Sequence, residues 1–290
     1  MILRKFLNIA VLLTAITQVL FWYNTAEANP LDDLRNLIKS KKYTIRYEVY
    51  DSSREANMAK MNQSISGMGI YSNVHQIANA ENKLPQYIVV SNENDCYMES
   101  TTYNPGMSDM SNTQCFLQKG NKVFEFMRSS FKGQKPRYSD RLSSRGGKII
   151  PRAQNSYDEN VRYGNNDLMD AIMALNPELQ TAQWASKYKE VASGKTDDGL
   201  QYFDFEAVPL KIDNPAVTIE EPAGFDDKPG VNVIRYYFKD NNLTKISFAN
   251  TFQFQGQQPE IHRRVITILE ISAVPNQKYL ELPKELKVGE

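Results

Sequence analysis

Several segments of this chain have the two-residue period of β-strands, yet they carry apolar side chains at successive positions. Tyr236 and Phe238 would share one face of such a strand with Tyr237 on the other, and Ile266 would oppose Val265 in a later segment. A strand with one face in water shows polar residues at every second position instead. A sheet that is apolar on both faces must bury both. We therefore expect helices on one face, and a second layer or an apolar ligand on the other.

Turn signals divide most of the chain into antiparallel hairpins. Residues 92–95 and 239–242 are short polar runs, and Gly120 lies between two segments of strand character. Residues 129–165 are rich in Ser, Arg, Lys and Gly without clear periodicity, and we expect a long loop there. Strands are expected at 43–50, 87–90, 96–101, 114–117, 122–126, 188–192, 200–208, 231–239, 243–254 and 264–274.

Two helical segments are expected besides the strands. Asn29 can cap a helix that begins at Pro30, because Asn accepts a bond from the first free amides and Pro suits the first helical position. Asn166 similarly precedes a short helix at 167–173. The first helix would carry an apolar stripe of Leu31, Leu34, Leu37 and Ile38. The order of helix, strands, helical insert and strands indicates an α+β fold with a large antiparallel sheet.

Residues 1–28 have the pattern of a signal peptide. Arg4 and Lys5 precede a mostly apolar run, and Ala26-Glu27-Ala28 supplies the small residues that a signal peptidase reads. We expect cleavage after Ala28, which leaves residues 29–290 as a single exported domain, periplasmic or extracellular. The alternative is an uncleaved membrane anchor, since the apolar run is near the length that spans a bilayer.

The charge balance excludes two classes of partner. The chain has 34 Lys and Arg residues and 34 Asp and Glu residues. Nucleic-acid binding depends on an excess of basic side chains, as does electrostatic attachment to a membrane surface. We therefore expect no binding of nucleic acid, and only transient contact with membranes, if any. We also expect a monomer.

Cys96 and Cys115 are the only cysteines, and both lie in the exported part of the chain. A lone pair in an oxidising compartment is most simply a disulfide. The alternative is a catalytic or metal-binding thiol, but His75 and His262 are the only histidines and neither lies in a cluster with ligand spacing. The sequence therefore predicts a Cys96–Cys115 bridge.

Residue constellations that carry chemistry are absent from the sequence. There is no Gly-x-Ser-x-Gly motif, no cluster of His and Cys for zinc, and no glycine spacing of a phosphate loop. Adjacent acids such as Asp197 and Asp198 lie in turns, where they are usually solvated. We expect no enzymatic activity, no cofactor and no metal site.

Four segments carry a resemblance to a known family: residues 31–50 after the signal peptide, and residues 83–90, 237–246 and 274–283. In these segments and in the order of its elements, the chain resembles the periplasmic lipoprotein-carrier superfamily (LolA/LolB-like). That resemblance implies an unclosed antiparallel β-barrel that wraps over helices and holds acyl chains in an apolar hollow. Such carriers latch their helical lid with a basic residue just before a proline, whereas here Leu84 precedes Pro85 and Lys83 is one position away.

The sequence thus predicts an exported, non-enzymatic carrier or binding protein for an apolar ligand, an acyl chain or lipoprotein, in the cell envelope. The alternative is a protein-interaction or sensor domain that uses the same sheet as a scaffold. The residues expected to line the hollow are Ile45, Tyr47, Val49, Phe124 and Phe126.

Overall fold

The computed structural model describes residues 29–52, 83–103, 109–131, 133–140, 148–153, 168, 171–172, 175, 187–208, 233–252 and 260–288. The expected signal peptide at 1–28 lies outside these described residues. One α-helix, α1, spans Pro30–Lys39, and a short 3-10 helix spans Gln277–Leu280. The strands are β1 Lys42–Asp51, β2 Gln86–Asn92, β3 Asp95–Thr102, β4 Met110–Lys119, β5 Lys122–Phe131, β6 Arg137–Asp140, β7 Arg152–Ala153, β8 Lys187–Lys195, β9 Gln201–Val208, β10 Val233–Lys239, β11 Asn242–Phe252 and β12 Glu260–Ser272.

All twelve strands belong to one antiparallel sheet. Its order is β6-β5-β4-β3-β2-β1-β12-β11-β10-β9-β8, and β7 pairs with β5 beside β6. The two ends of this order do not pair with each other, so the sheet is not closed into a barrel. The predicted α+β fold with a large unclosed antiparallel sheet is therefore confirmed. Within the described residues, no helix combines the length and apolar character that a membrane crossing requires.

The hairpin between β10 and β11 shows how local sequence sets the register. Asp240 and Asn241 both have positive φ, at 49° and 61°. Asp and Asn tolerate this left-handed conformation better than most residues, and two such residues form the turn that suits the twist of a hairpin. The Lys239 and Asn242 pair then closes the loop, as the sequence predicts.

Helix α1 begins at the predicted cap. The Asn29 side chain accepts a hydrogen bond from the Leu31 amide at 3.1 Å, and Pro30 occupies the first turn. The helix buries Leu31, Leu34 and Ile38 against the sheet. An amphipathic helix of this length is stable mainly through such packing, so α1 depends on the sheet that it covers.

The mid-chain helical insert is also confirmed where the structure describes it. Leu168, Ala171 and Ile172 are helical, and together with Leu175 they have the spacing of one helix face. All four are buried beside α1. The Arg35 guanidinium of α1 donates to the Leu175 carbonyl at 3.2 Å, which joins the two segments. We call the side chains packed between these segments and the sheet the first core.

The opposite face of the sheet carries a smaller, second core. Its members come from β2 to β5, from the bridge residue Ile149 and from the chain after β12. The buried members are Val90, Tyr97, Cys115, Leu117, Phe124, Phe126, Ile149 and Leu280. Over β2 to β5 both faces are therefore apolar and covered, whereas on β12 Leu269 is 45% exposed.

The predicted Cys96–Cys115 disulfide is wrong. The two cysteines are not bonded to each other, and both are buried. The register pairs Cys96 with Phe116 and Cys115 with Tyr97, and neighbouring residues on a strand point to opposite faces. Cys96 consequently belongs to the first core and Cys115 to the second, with the sheet between them.

The expected loop at 129–165 is wrong in part. β5 continues to Phe131, and β6 and β7 follow within this segment. Arg152 of β7 donates to Asp140 of β6 at 2.8 Å and to Glu125 of β5 at 3.2 Å. Charged side chains that pair across short strands leave no apolar periodicity in the sequence, which explains the wrong prediction.

Candidate functional site

The chain after β12, residues 273–288, lies over the second core, and we call it the C-terminal strap. The Thr44 hydroxyl of β1 donates to the Val274 carbonyl at 3.1 Å and accepts from the Asn276 amide at 2.9 Å. The Asn276 side chain in turn accepts from the Lys278 amide at 3.3 Å and caps the 3-10 helix. These local bonds from side chain to backbone turn the chain away from β12 and onto the second face.

The rest of the strap is attached at three further points. Lys119 donates from Nζ to the Leu280 carbonyl at 3.2 Å, and the Ile149 amide donates to the Lys287 carbonyl at 2.7 Å. The Tyr279 ring lies against Tyr97 of β3, with 4.9 Å between ring centroids. The strap is thus held at both ends, and its middle packs on the sheet.

Two cross-strand rows of side chains form the sheet surface beneath the strap. Residues directly opposite each other on antiparallel strands share a face, so the register fixes each row. One row is mainly apolar and consists of Tyr97, Cys115 and Phe126 on β3, β4 and β5. The next row is polar and consists of Glu99, Thr113, Arg128 and Tyr138 on β3, β4, β5 and β6.

A cavity of about 470 Å³ lies between these two rows and the strap. Both rows line it, together with Pro136 and strap residues in the 278–285 stretch. Glu281, Lys284 and Glu285 are exposed lining residues, so the cavity opens to solvent on the strap side. Sites for small molecules commonly have volumes of roughly 300–1,000 Å³. This cavity is our candidate functional site.

The polar row begins at Glu99, whose carboxylate accepts two hydrogen bonds. The Tyr97 hydroxyl donates to Glu99 Oε2, and the Thr113 hydroxyl donates to the same oxygen at 3.3 Å. Burial raises the pKa of Tyr97, and the bond to Glu99 raises it further. Tyr97 is therefore a protonated donor at neutral pH and holds Glu99 at the cavity wall.

Arg128 lies further along the same row, between Thr113 and Tyr138. Its side chain is half-buried, and its Nε is fully buried without a hydrogen-bond partner in the described part of the chain. Its positive charge acts on its neighbours, because it opposes the rise that burial causes in the pKa of both Tyr138 and Cys115. Arg128 thus brings an unsatisfied cationic donor to the cavity.

The Cys115 thiol is not suited to nucleophilic chemistry. Burial raises the pKa of Cys115, and the neighbouring Cys96 raises it further. The thiolate is the reactive form of cysteine, so a raised pKa keeps this side chain inert at neutral pH. Cys115 therefore serves as a small apolar side chain in the cavity wall.

The structure places the five predicted lining residues on two different faces. Ile45, Tyr47 and Val49 are buried in the first core, whereas Phe124 and Phe126 belong to the second. One hollow cannot be lined by all five, because the sheet separates the two sets. Phe126 is the member that lines the cavity.

Sequence reasoning missed Arg128 and the strap residue Tyr279. Arg128 follows Phe126 by two positions, so extension of the strand pattern would have placed it on the same face. Tyr279 had no comparable signal, since its position depends on the path of the strap. Both residues line the cavity.

Across the ranges that the structure describes, no three His, Cys, Asp or Glu side chains converge as metal ligands. The cavity instead combines aromatic rings, a protonated thiol and an unpaired guanidinium donor, which suits binding.

Comparison with known proteins adds no relative: no family model matches the chain, and no curated protein or solved structure matches it.

Proposed function

We propose that this chain is an exported, non-enzymatic carrier or binding protein for an apolar ligand with an acyl chain, acting in the cell envelope. The observation that carries the proposal is the cavity of about 470 Å³ between the second face of the sheet and the strap. Ligand sites are typically concave, lined mostly by apolar and aromatic groups, and supplied with a few polar groups that orient the ligand. Phe126, Tyr138 and Tyr279 provide the aromatic walls here.

The chemistry of the cavity favours binding over catalysis. General acid–base catalysis works best with a group whose pKa lies near the working pH. Burial instead raises the pKa of Tyr97 and of Cys115 away from neutrality, so both keep their protons. Tyr97 and Cys115 are thus compatible with an apolar ligand and supply neither a base nor a nucleophile.

The strap gives the ligand a route into the cavity. Its middle part around Leu282 and Pro283 lines the cavity, while the described hydrogen bonds that hold the strap are made at Val274, Asn276, Leu280 and Lys287. A displacement of this middle part would break few hydrogen bonds. A carrier must both load and release its ligand, and a wall of this kind permits that without opening the sheet.

The export of the chain and its resemblance to lipoprotein carriers enter as part of the same proposal. Residues 1–28 would direct the chain out of the cytoplasm and into the cell envelope. Acyl chains that move between membranes must cross an aqueous compartment there. An unclosed sheet covered by helices is the fold that the resemblance implies. The cavity proposed here lies on the face opposite to α1.

Uptake of a fluorescent fatty acid by residues 29–290 tests the proposal. Leu282→Gln replaces an apolar cavity wall with a polar side chain of similar size, so we expect clearly weaker uptake. Leu286→Gln is the matched control, because Leu286 is also half-buried in the second core from the strap but does not line the cavity. Circular dichroism must show both variants folded.

Equal uptake by both variants would contradict the proposed site. A folded wild-type protein that takes up no acyl probe would contradict the carrier function itself. The sheet would then be better explained as a scaffold for protein contacts. Native mass spectrometry of protein purified from its own host would identify a bound ligand directly.

A further inference from the structure

The buried Nε of Arg128 needs a physical explanation. Buried polar groups are nearly always hydrogen-bonded, because an unsatisfied donor loses its bond to water and gains nothing in return. A guanidinium is a more costly case, since it also carries a charge. Arg128 Nε has no partner in the described ranges, yet the side chain lies in the wall of a cavity that is open to solvent. Arg128 is half-buried and lines the cavity, so a ligand can contact the exposed part of its side chain, although Nε itself is covered.

The neighbouring carboxylates do not satisfy Arg128. Glu99 lies two strands away in the polar row, at a distance of roughly 10 Å between backbones given the usual strand spacing. Its Oε2 already accepts bonds from the hydroxyls of Tyr97 and Thr113. None of the described carboxylates, including Glu281 and Glu285 in the cavity wall, forms an ion pair with Arg128. The donor is left for something that enters the cavity.

The net charge of the residues that line the cavity does not select the ligand. Arg128, Lys278 and Lys284 are balanced by three glutamates among the lining residues. The selectivity must then come from a local bond, and a guanidinium forms its strongest bonds with oxyanions such as carboxylate and phosphate. An anion in the cavity would pair the positive charge of Arg128, which forms no ion pair among the described residues.

The surface beside Arg128 is apolar. Phe126 precedes it by two residues on the same face of β5, and its ring lies 6.1 Å from that of Tyr138. Tyr97 and Tyr279 continue this wall in the adjoining row and on the strap. A ligand that meets both surfaces must have an oxyanion at one end and an apolar chain at the other.

We propose that the cavity binds amphiphiles with an oxyanion headgroup, carboxylate or phosphate, and that Arg128 binds the headgroup while the apolar row receives the chain. This inference rests on the proposed carrier function and names the ligand class for its site. Arg128 is a specificity residue in this scheme, since an uncharged amphiphile of equal length would lose only the headgroup bond.

Three amphiphiles of equal chain length test the inference. Each is added below its critical micelle concentration, and its binding is measured by the displacement of a neutral fluorescent probe. The amphiphiles are dodecanoate, dodecyl phosphate and dodecanol. We expect wild-type residues 29–290 to bind the two anions about tenfold or more tightly than dodecanol, which is the usual size of a bond to a charged group. The relative affinities of dodecanoate and dodecyl phosphate tell which headgroup the site prefers.

Arg128→Gln removes the charge and keeps most of the side-chain length. We expect it to abolish the preference for the anions while dodecanol binding stays within about twofold. Arg137→Gln is the matched control, because Arg137 lies on the adjacent strand β6 but is exposed and outside the cavity wall. This control should keep the preference of the wild type.

The outcomes separate the two proposals. Equal wild-type affinity for dodecanol and both anions overturns the headgroup inference and leaves the carrier function intact. That comparison needs no variant, so it decides even if Arg128→Gln fails to fold. A preference that survives in folded Arg128→Gln also overturns the role of Arg128. If folded wild-type protein binds none of the three probes, the carrier function fails and the inference fails with it.

Discussion

Tyr47 lies at the centre of the first core, where its ring stacks on Tyr87 with 4.9 Å between centroids and 7° between planes. Its side chain is only 1% exposed. Tyr47→Asp would remove this stacking and bury a carboxylate beneath α1. We expect a loss of about 3–5 kcal/mol in the free energy of unfolding, because a buried aromatic is lost and a charge is left unpaired. Urea denaturation followed by circular dichroism measures this loss.

Leu269→Asp is the control for this prediction. It also places a carboxylate on an interior strand, β12, but Leu269 is 45% exposed, so water can solvate the charge. We expect a change within about 0.5 kcal/mol there. A Tyr47→Asp protein as stable as the Leu269→Asp protein would mean that the first core is an open hollow that water enters.

At the scale of elements, the register between β3 and β4 predicts the state of both cysteines. Cys96 and Cys115 point to opposite faces, so a bridge would require a slip of one residue, which would move every side chain of one strand to the wrong face. We expect denatured, non-reduced protein to show two reactive thiols. In the folded protein at pH 8 we expect slow reaction, because burial raises the pKa of Cys115.

Thiol counting with and without denaturant measures both expectations. Protein reduced beforehand gives the reference count of two. A count of zero in denatured, non-reduced material would show that the strands pair in another register. The same slip would also remove Cys115 and Phe126 from the cavity wall, so this inexpensive measurement also tests the candidate site.

The elements that the sequence predicted are those whose signals are local. The cap at Asn29, the polar turn at 239–242 and the alternation along β1 each lie within a few residues of what they determine. The faces on which the side chains of β3 and β4 lie have no such local signal. They depend on the offset between the two strands, which is set by the chain between Thr102 and Met110. One wrong offset is enough to turn opposed cysteines into a predicted bridge.

The cavity was beyond prediction for a related reason. Its walls come from β3 to β6 and from a strap more than one hundred residues later in the chain. No periodicity links Arg128 to Tyr279, and only the path of the strap brings them together. All five predicted lining residues are buried, but they lie on two faces, and the choice of face needed the whole sheet.

At the scale of the molecule, the two faces of the sheet differ in the size of their cores and in how they are covered. The first core is sealed by α1 and the mid-chain helical segment, and it includes large, fully buried rings such as Tyr43 and Phe238. The second core is smaller and shares its surface with the cavity. We therefore expect stability to come mainly from the first face, which would leave the second face free to exchange a ligand under the proposed function.

The open ends of the sheet bear on the oligomeric state. β8 pairs only with β9, so one of its edges has no partner among the described strands. That edge carries features that oppose such pairing: lysines at Lys189 and Lys195, and a bulge between Glu190 and Ala192. β6, at the other end, is only four residues long. We therefore expect a monomer in solution at micromolar concentrations.

Light scattering after size-exclusion chromatography measures the mass of the protein in solution. Lys189→Val tests whether the edge lysine keeps the protein monomeric. This change removes an exposed lysine from the edge strand at the cost of a surface ion pair with Glu206, whose atoms lie 4.0 Å apart and contribute little. We expect the mean mass to rise with concentration in Lys189→Val. Thr267→Val adds the same side chain at an exposed position of β12, whose two edges are both paired, and should stay monomeric. A dimeric wild type would mean that β8 is an interface, which would strengthen the protein-interaction alternative against the carrier.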